Sequence, residues 1–86
     1  MEIEFDPAKD AVNRAKHGVP LNAGRQVIQG AVQQIADTRF DYGEPRFIAF
    51  GYVGTRLHVC VFTVRGDVRR IISVRSASRR ERMRYG

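Results

Sequence analysis

Polar and apolar positions alternate at the start of the chain (Glu2, Ile3, Glu4, Phe5), and this period of two predicts a short strand with Ile3 and Phe5 on one face. The period then lengthens. Asp6 suits an N-cap, Pro7 suits the first helical position, Ala8, Ala11, Val12 and Ala15 recur at helical spacing, and Gly18 offers a left-handed stop. A helix over Pro7–His17 is predicted, its narrow stripe of small residues turned to the core and Lys9, Asn13, Lys16 and His17 projecting elsewhere. Pro20–Gln29 reads as a second short helix with Leu21, Val27 and Ile28 as core contacts, ended by Gly30.

From Ala31 onward the pattern is that of strands. Ala31–Asp37 is one, and Thr38–Pro45 is a loop carrying the turn residues Asp41, Gly43 and Pro45. Arg46–Tyr52, Arg56–Val64 and Val68–Val74 are rich in Val, Ile, Phe and Tyr, and the links Val53-Gly54-Thr55 and Arg65-Gly66-Asp67 are short enough for antiparallel hairpins. Ser78-Arg79-Arg80-Glu81 matches a capping box, so a final helix is expected to start there and run to about Tyr85. The order is β, α, α, four strands, α. This predicts an α+β fold: an antiparallel sheet with two N-terminal helices and one C-terminal helix.

Size and composition narrow the picture. At 86 residues the chain supports one compact core, and residues 1–86 are read as a single domain. With 43% hydrophobic and 28% charged residues it is too apolar to be disordered. The lone cysteine, Cys60, sits within the apolar run Leu57–Val64, so neither an internal disulfide nor a Cys-based metal site can form. Met1–Pro7 carries acidic residues where a signal peptide has basic ones, and no apolar run approaches the roughly 18 residues of a membrane span. A reducing, cytoplasmic setting without membrane contact is the expectation.

The net charge of +6 matters less than its location. Residues 1–64 hold seven Lys or Arg against seven Asp or Glu, whereas residues 65–86 hold eight Arg against Asp67 and Glu81, and so carry the whole excess. Guanidinium groups meet phosphate oxygens with two parallel hydrogen bonds and stack on bases, which a Lys point charge does not. The sequence points to a polyanion partner. A solvated helix face with surface salt bridges is the plainer alternative, but the excess is too one-sided for self-pairing.

Few residues offer chemistry. Neither histidine has metal-ligand spacing, and there is no glycine-rich phosphate loop and no nucleophile elbow, so metal catalysis, nucleotide hydrolysis and acyl transfer lose their usual signatures. No cofactor is expected. His17, at a helix C-terminus before Gly18, reads either as a C-cap cation favoured by the helix dipole or as a general base or phosphate ligand. His58, between Leu57 and Val59, reads as a satisfied sheet residue. Arg65 and Arg75 stand at strand ends, where a rigid scaffold can aim a guanidinium at the extra negative charge of a pentacoordinate phosphorane; the plainer reading of each is a surface salt bridge. Tyr85 is either a packing aromatic or a group that stacks on a base or donates a proton.

These residues also carry a resemblance. Phe5-Asp6-Pro7-Ala8-Lys9, Asn13, Lys16-His17-Gly18-Val19, Gly43-Glu44-Pro45-Arg46, Arg70-Ile71-Ile72-Ser73-Val74-Arg75, Ala77, Arg79-Arg80-Glu81-Arg82 and Tyr85 stand in the order and spacing of the BrnT toxins. Those toxins are a branch of the RelE-like ribonucleases of type II toxin–antitoxin systems, and the chain resembles them over nearly its full length. Phe5 stands where the family commonly has Trp, and Val74 where it commonly has Ala. The resemblance implies a RelE-like sheet backed by helices, RNA cleavage without a metal, and a BrnA-like antitoxin whose complex with the toxin binds promoter DNA. A fitting mechanism has a 2′-hydroxyl attack its adjacent phosphate. In it Arg65, Arg75 and Arg79 stabilise charge, His17 or Glu81 is the base and Tyr85 the acid, with Arg80, Arg82, Arg69, Lys16 and Lys9 binding RNA. The capping box also needs Glu81, which counts against it as base. Two rivals stand beside this: a basic module that coats nucleic acid without cutting it, and a partner-binding protein whose arginines dock an acidic segment.

Overall fold

A computed structural model describes residues 1–86, and its elements follow the predicted order closely: β1 (Glu2–Glu4), α1 (Pro7–His17), α2 (Gly24–Gln29), β2 (Ala31–Ala36), β3 (Phe47–Val53), β4 (Arg56–Arg65), β5 (Val68–Ser76) and α3 (Arg79–Tyr85). The start of α1 is set by Asp6, whose carboxylate accepts from the Ala8 N–H at 2.8 Å, and its end by Gly18 at φ 71°. Both hairpin turns put a glycine with positive φ, Gly54 and Gly66, at the first of two loop positions, the pattern of a type II′ turn.

The five strands form one sheet in the order β1-β5-β4-β3-β2. Strands β2 to β5 are antiparallel neighbours, but β1 pairs parallel to β5, with Ile3 opposite Arg69 and Glu4 opposite Arg70. The sheet is therefore mixed, which corrects the antiparallel expectation. No hairpin dictates the direction of β1, so it joins where Ile3 reaches the core and Glu4 reaches Arg70 at 3.4 Å. A second correction concerns Pro20–Gln29, which is not one helix: Leu21–Ala23 form a single 3₁₀ turn and α2 begins at Gly24. Glycine is a weak helix former, and a Cβ there would lie 3.0 Å from Ile71 and 3.1 Å from the Cys60 sulfur, so Gly24 seats the break directly on the sheet.

Apolar side chains gather on both faces of the sheet. One cluster, Leu21, Val27, Ala49, Cys60, Phe62, Ile71 and Val74, lies beneath the 3₁₀ turn and α2; the other, Phe50, Leu57, Val59 and Ala77, lies on the opposite face beside Tyr85 of α3. Strand β4 is consequently buried along most of its length. Leu21 and Val27 are fully buried and Ile28 half-buried, as their spacing predicts.

Helix α1 departs from its predicted orientation. Ala8, Ala11, Val12 and Ala15 are all exposed, and the only buried residue of α1 is Asn13. Strand β1 pairs with β5 only as far as Arg70, which leaves the backbone of β5 bare beyond it. Asn13 covers that edge: its amide nitrogen donates to the carbonyls of Val74 and Val19, each at 2.8 Å, and its amide oxygen accepts from the Val74 N–H at 3.3 Å. Asp10 adds a bond from the Leu21 N–H at 2.8 Å. Satisfying buried backbone groups outweighs the burial of four small side chains.

Candidate active site

Residue alternation along β4 and β5 decides which arginines meet. Val74 and Ile71 point into the cluster under α2, so Arg70, Ser73 and Arg75 point to the other face, with Ile72 absorbed by a bulge opposite Val61 and Phe62. Arg65 pairs with Val68 and shares the face of Val59 and Thr63. The structure therefore places Arg65, Arg70 and Arg75 on one face. Arg69 points to the opposite face, and His58 is buried there, its Nδ1–H donating to the Arg56 carbonyl at 2.9 Å.

Arg75 is the most firmly held of the three. Its Nη1 and Nη2 donate to the two carboxylate oxygens of Glu81 at 2.7 and 2.9 Å. Glu81 closes the capping box as well, taking the Ser78 N–H at 2.8 Å while its own N–H donates to the Ser78 hydroxyl at 3.2 Å. The bond from Arg75, seconded by the Ser78 N–H, holds the Glu81 carboxyl down at about 2, and the same bond raises Arg75 above its ordinary value. Arg65 and Arg70 have looser partners, Glu44 at 3.6 Å and Glu4 at 3.4 Å.

Helix α3 is anchored over this face by Tyr85, whose ring stacks on Phe50 at 4.0 Å between centroids, and by Arg82, which donates to the Ala77 carbonyl at 3.0 Å. Arg79, Arg80 and Arg84 are exposed around Met83. Lys9, Lys16 and His17 sit elsewhere, in a cleft of about 380 Å³ between α1 and the β5 residues Ile72 and Ser73. No three His, Cys, Asp or Glu side chains gather in a group that could hold a metal ion.

The loop between β2 and β3 brings a further cluster that its turn-like composition conceals. Asp37 is buried and takes two bonds from the Arg39 guanidinium at 2.8 Å each, the Arg39 N–H at 3.2 Å and the Tyr42 hydroxyl at 3.0 Å. The Arg39 bonds hold its carboxyl far below the usual range. Arg46 lies over the Tyr42 ring at 4.0 Å, its Nε buried and without a partner. The available signal was the interleaving of Asp37, Arg39, Phe40, Tyr42 and Arg46, charges and aromatics in a stretch otherwise read only for turns.

The molecule is thus an α+β domain that presents arginines on one sheet face and along a capped helix, groups whose chemistry suits anionic ligands. The family model described as "Ribonuclease toxin, BrnT, of type II toxin-antitoxin system" matches residues 5–81, and the chain belongs to that family. No curated protein sequence matches the chain. Membership makes it a ribonuclease toxin of a type II pair, with an antitoxin as partner. No helix is long and apolar enough to cross a membrane.

Proposed function

We propose that the chain is an endoribonuclease that cuts RNA without a metal, by attack of a 2′-hydroxyl on its adjacent phosphate. The products are a 2′,3′-cyclic phosphate and a free 5′-hydroxyl. The observation that carries this reading is the bidentate Arg75–Glu81 pair on a face shared with Arg65 and Arg70: a fixed guanidinium suits the charge that develops on a phosphorane and needs no rearrangement to meet it. Arg79 adds charge from α3, and Arg80 and Arg82 bind flanking phosphates. A carboxyl held at about 2 is a poor proton acceptor near neutrality, so Glu81 acts by orienting Arg75. His17, with Lys9 and Lys16, lines the cleft at Ser73 away from Arg75, and there it acts as a phosphate ligand for RNA that crosses the edge of β5. Tyr85 is the proton donor to the departing oxygen. Arg69 steadies RNA from the far face.

The five-stranded sheet with helices on both faces supports a RelE-like arrangement, and the family supports a BrnA-like antitoxin, with promoter DNA bound only through their complex. Cys60 is buried and its thiol is pushed up to about 12 by desolvation, which makes it an unreactive core residue; the proposed setting of the chain is cytoplasmic. Purified protein incubated with total RNA in EDTA, with and without Arg75→Ala, tests the catalytic reading. Cleavage that leaves 5′-hydroxyl ends and is lost in the variant is expected. Intact RNA from the wild type would favour the second reading, a basic module that binds without cutting, for which the exposed Arg79, Arg80 and Arg84 also speak.

A further inference from the structure

We infer that the loop between β2 and β3 is a nucleotide subsite for single-stranded RNA: Phe40 stacks on a base while Arg39 and Arg46 take the adjoining phosphates. The inference rests on the ribonuclease reading and extends it to residues outside the proposed catalytic set.

Three observations carry it. Among the five phenylalanines Phe40 alone is exposed, at 69%, whereas Phe47, Phe50 and Phe62 pack in the two clusters and Phe5 is half-buried. Its ring meets Tyr42 edge-on at 5.9 Å and 74°, which leaves its faces open to solvent. An exposed aromatic is what unstacked bases use in single-strand recognition.

The loop is also held in shape before any ligand arrives. Asp37 anchors Arg39 and Tyr42 together, and the Gly43 N–H donates to Asp41 at 3.0 Å, so Phe40 is presented on a braced turn within a cleft of about 640 Å³ formed by residues 36–47. Asp37 is thus a positioning residue. Finally, two guanidinium groups lie beside the ring. Arg39 remains 66% exposed despite its two bonds to Asp37, and Arg46, over the Tyr42 ring, forms no ion pair. Arg39 lies near enough to Arg75 for its charge to count against the protonation of Arg75.

The chain has no tryptophan, so Phe40→Trp puts a single reporter at the subsite. The probe is a 2′-O-methylated oligoribonucleotide, which has no hydroxyl to attack, with inorganic polyphosphate as the control. Quenching by the oligonucleotide but not by polyphosphate is expected, together with about 10-fold weaker binding of the oligonucleotide by Phe40→Leu. Unchanged emission, or equal quenching by polyphosphate, overturns the subsite, and cleavage of unmodified RNA by the wild type would then leave the ribonuclease reading standing. Quenching by the oligonucleotide with no cleavage by the wild type has the opposite meaning: the subsite stands and the catalytic reading falls.

Discussion

Glu81 illustrates how one carboxylate can be committed in two directions at once, to the N-cap of α3 and to the guanidinium of Arg75. Its folded value of about 2 lies below the ordinary 4.5, so the pair stabilises the fold fully above pH 4.5 and loses that contribution as pH falls through about 2. Glu81→Gln should therefore unfold in urea with a deficit of about 1 kcal/mol at pH 7, modest because both partners are partly solvated. The deficit should shrink steadily between pH 4.5 and 2. A deficit independent of pH would mean that packing of the side chain, and not its charge, is what the substitution removes. At this scale the sequence was informative wherever a residue's task is local. The capping box from Ser78 to Glu81 and the Asp6 cap are visible as spacing alone. The Arg75–Glu81 bond was not, because it depends on where α3 lies against β5.

At the scale of elements, α1 is held by hydrogen bonds where an apolar stripe was expected to hold it. Asn13→Ala would strip partners from the Val74 N–H, the Val74 carbonyl and the Val19 carbonyl, and a cost of about 3 kcal/mol is expected, read as a lower urea midpoint at unchanged slope. Val12→Ala, by contrast, removes a side chain that is 65% exposed and should leave the midpoint almost unchanged. If the two variants behaved alike, α1 would be held by its apolar side after all. Strand and helix limits were legible because period and turn residues are local properties, and Pro7–His17 is reproduced residue for residue. The parallel addition of β1 was not legible, since strand pairing over more than sixty residues leaves no trace in periodicity. Nor was the loop cluster: Asp37, Arg39 and Tyr42 are close in sequence, but their meeting depends on a loop path that turn residues alone do not specify.

At the scale of the whole molecule, the excess charge of residues 65–86 divides into two kinds of arginine. Arg65, Arg70 and Arg75 each face a carboxylate, whereas Arg69 and the four arginines of α3, Arg79, Arg80, Arg82 and Arg84, form no ion pair. A carboxylate-paired arginine already has its charge balanced and adds little to the salt dependence when it meets RNA, while an unpaired one neutralises a phosphate and releases its counterion. The salt dependence of RNA affinity should therefore be set chiefly by α3. Each unpaired arginine in contact contributes about 0.7 to the slope of log K against log salt for a single strand, so Arg79→Gln with Arg80→Gln should flatten that slope by about 1.4. Arg70→Gln, which only frees Glu4 from its partner, should change the slope much less. Filter binding of a 2′-O-methylated oligoribonucleotide across a salt series reads all three proteins on one scale. Equal flattening by the α3 pair and by Arg70→Gln would show that RNA displaces the Glu4 contact, and would move the centre of the bound strand from α3 onto the sheet face.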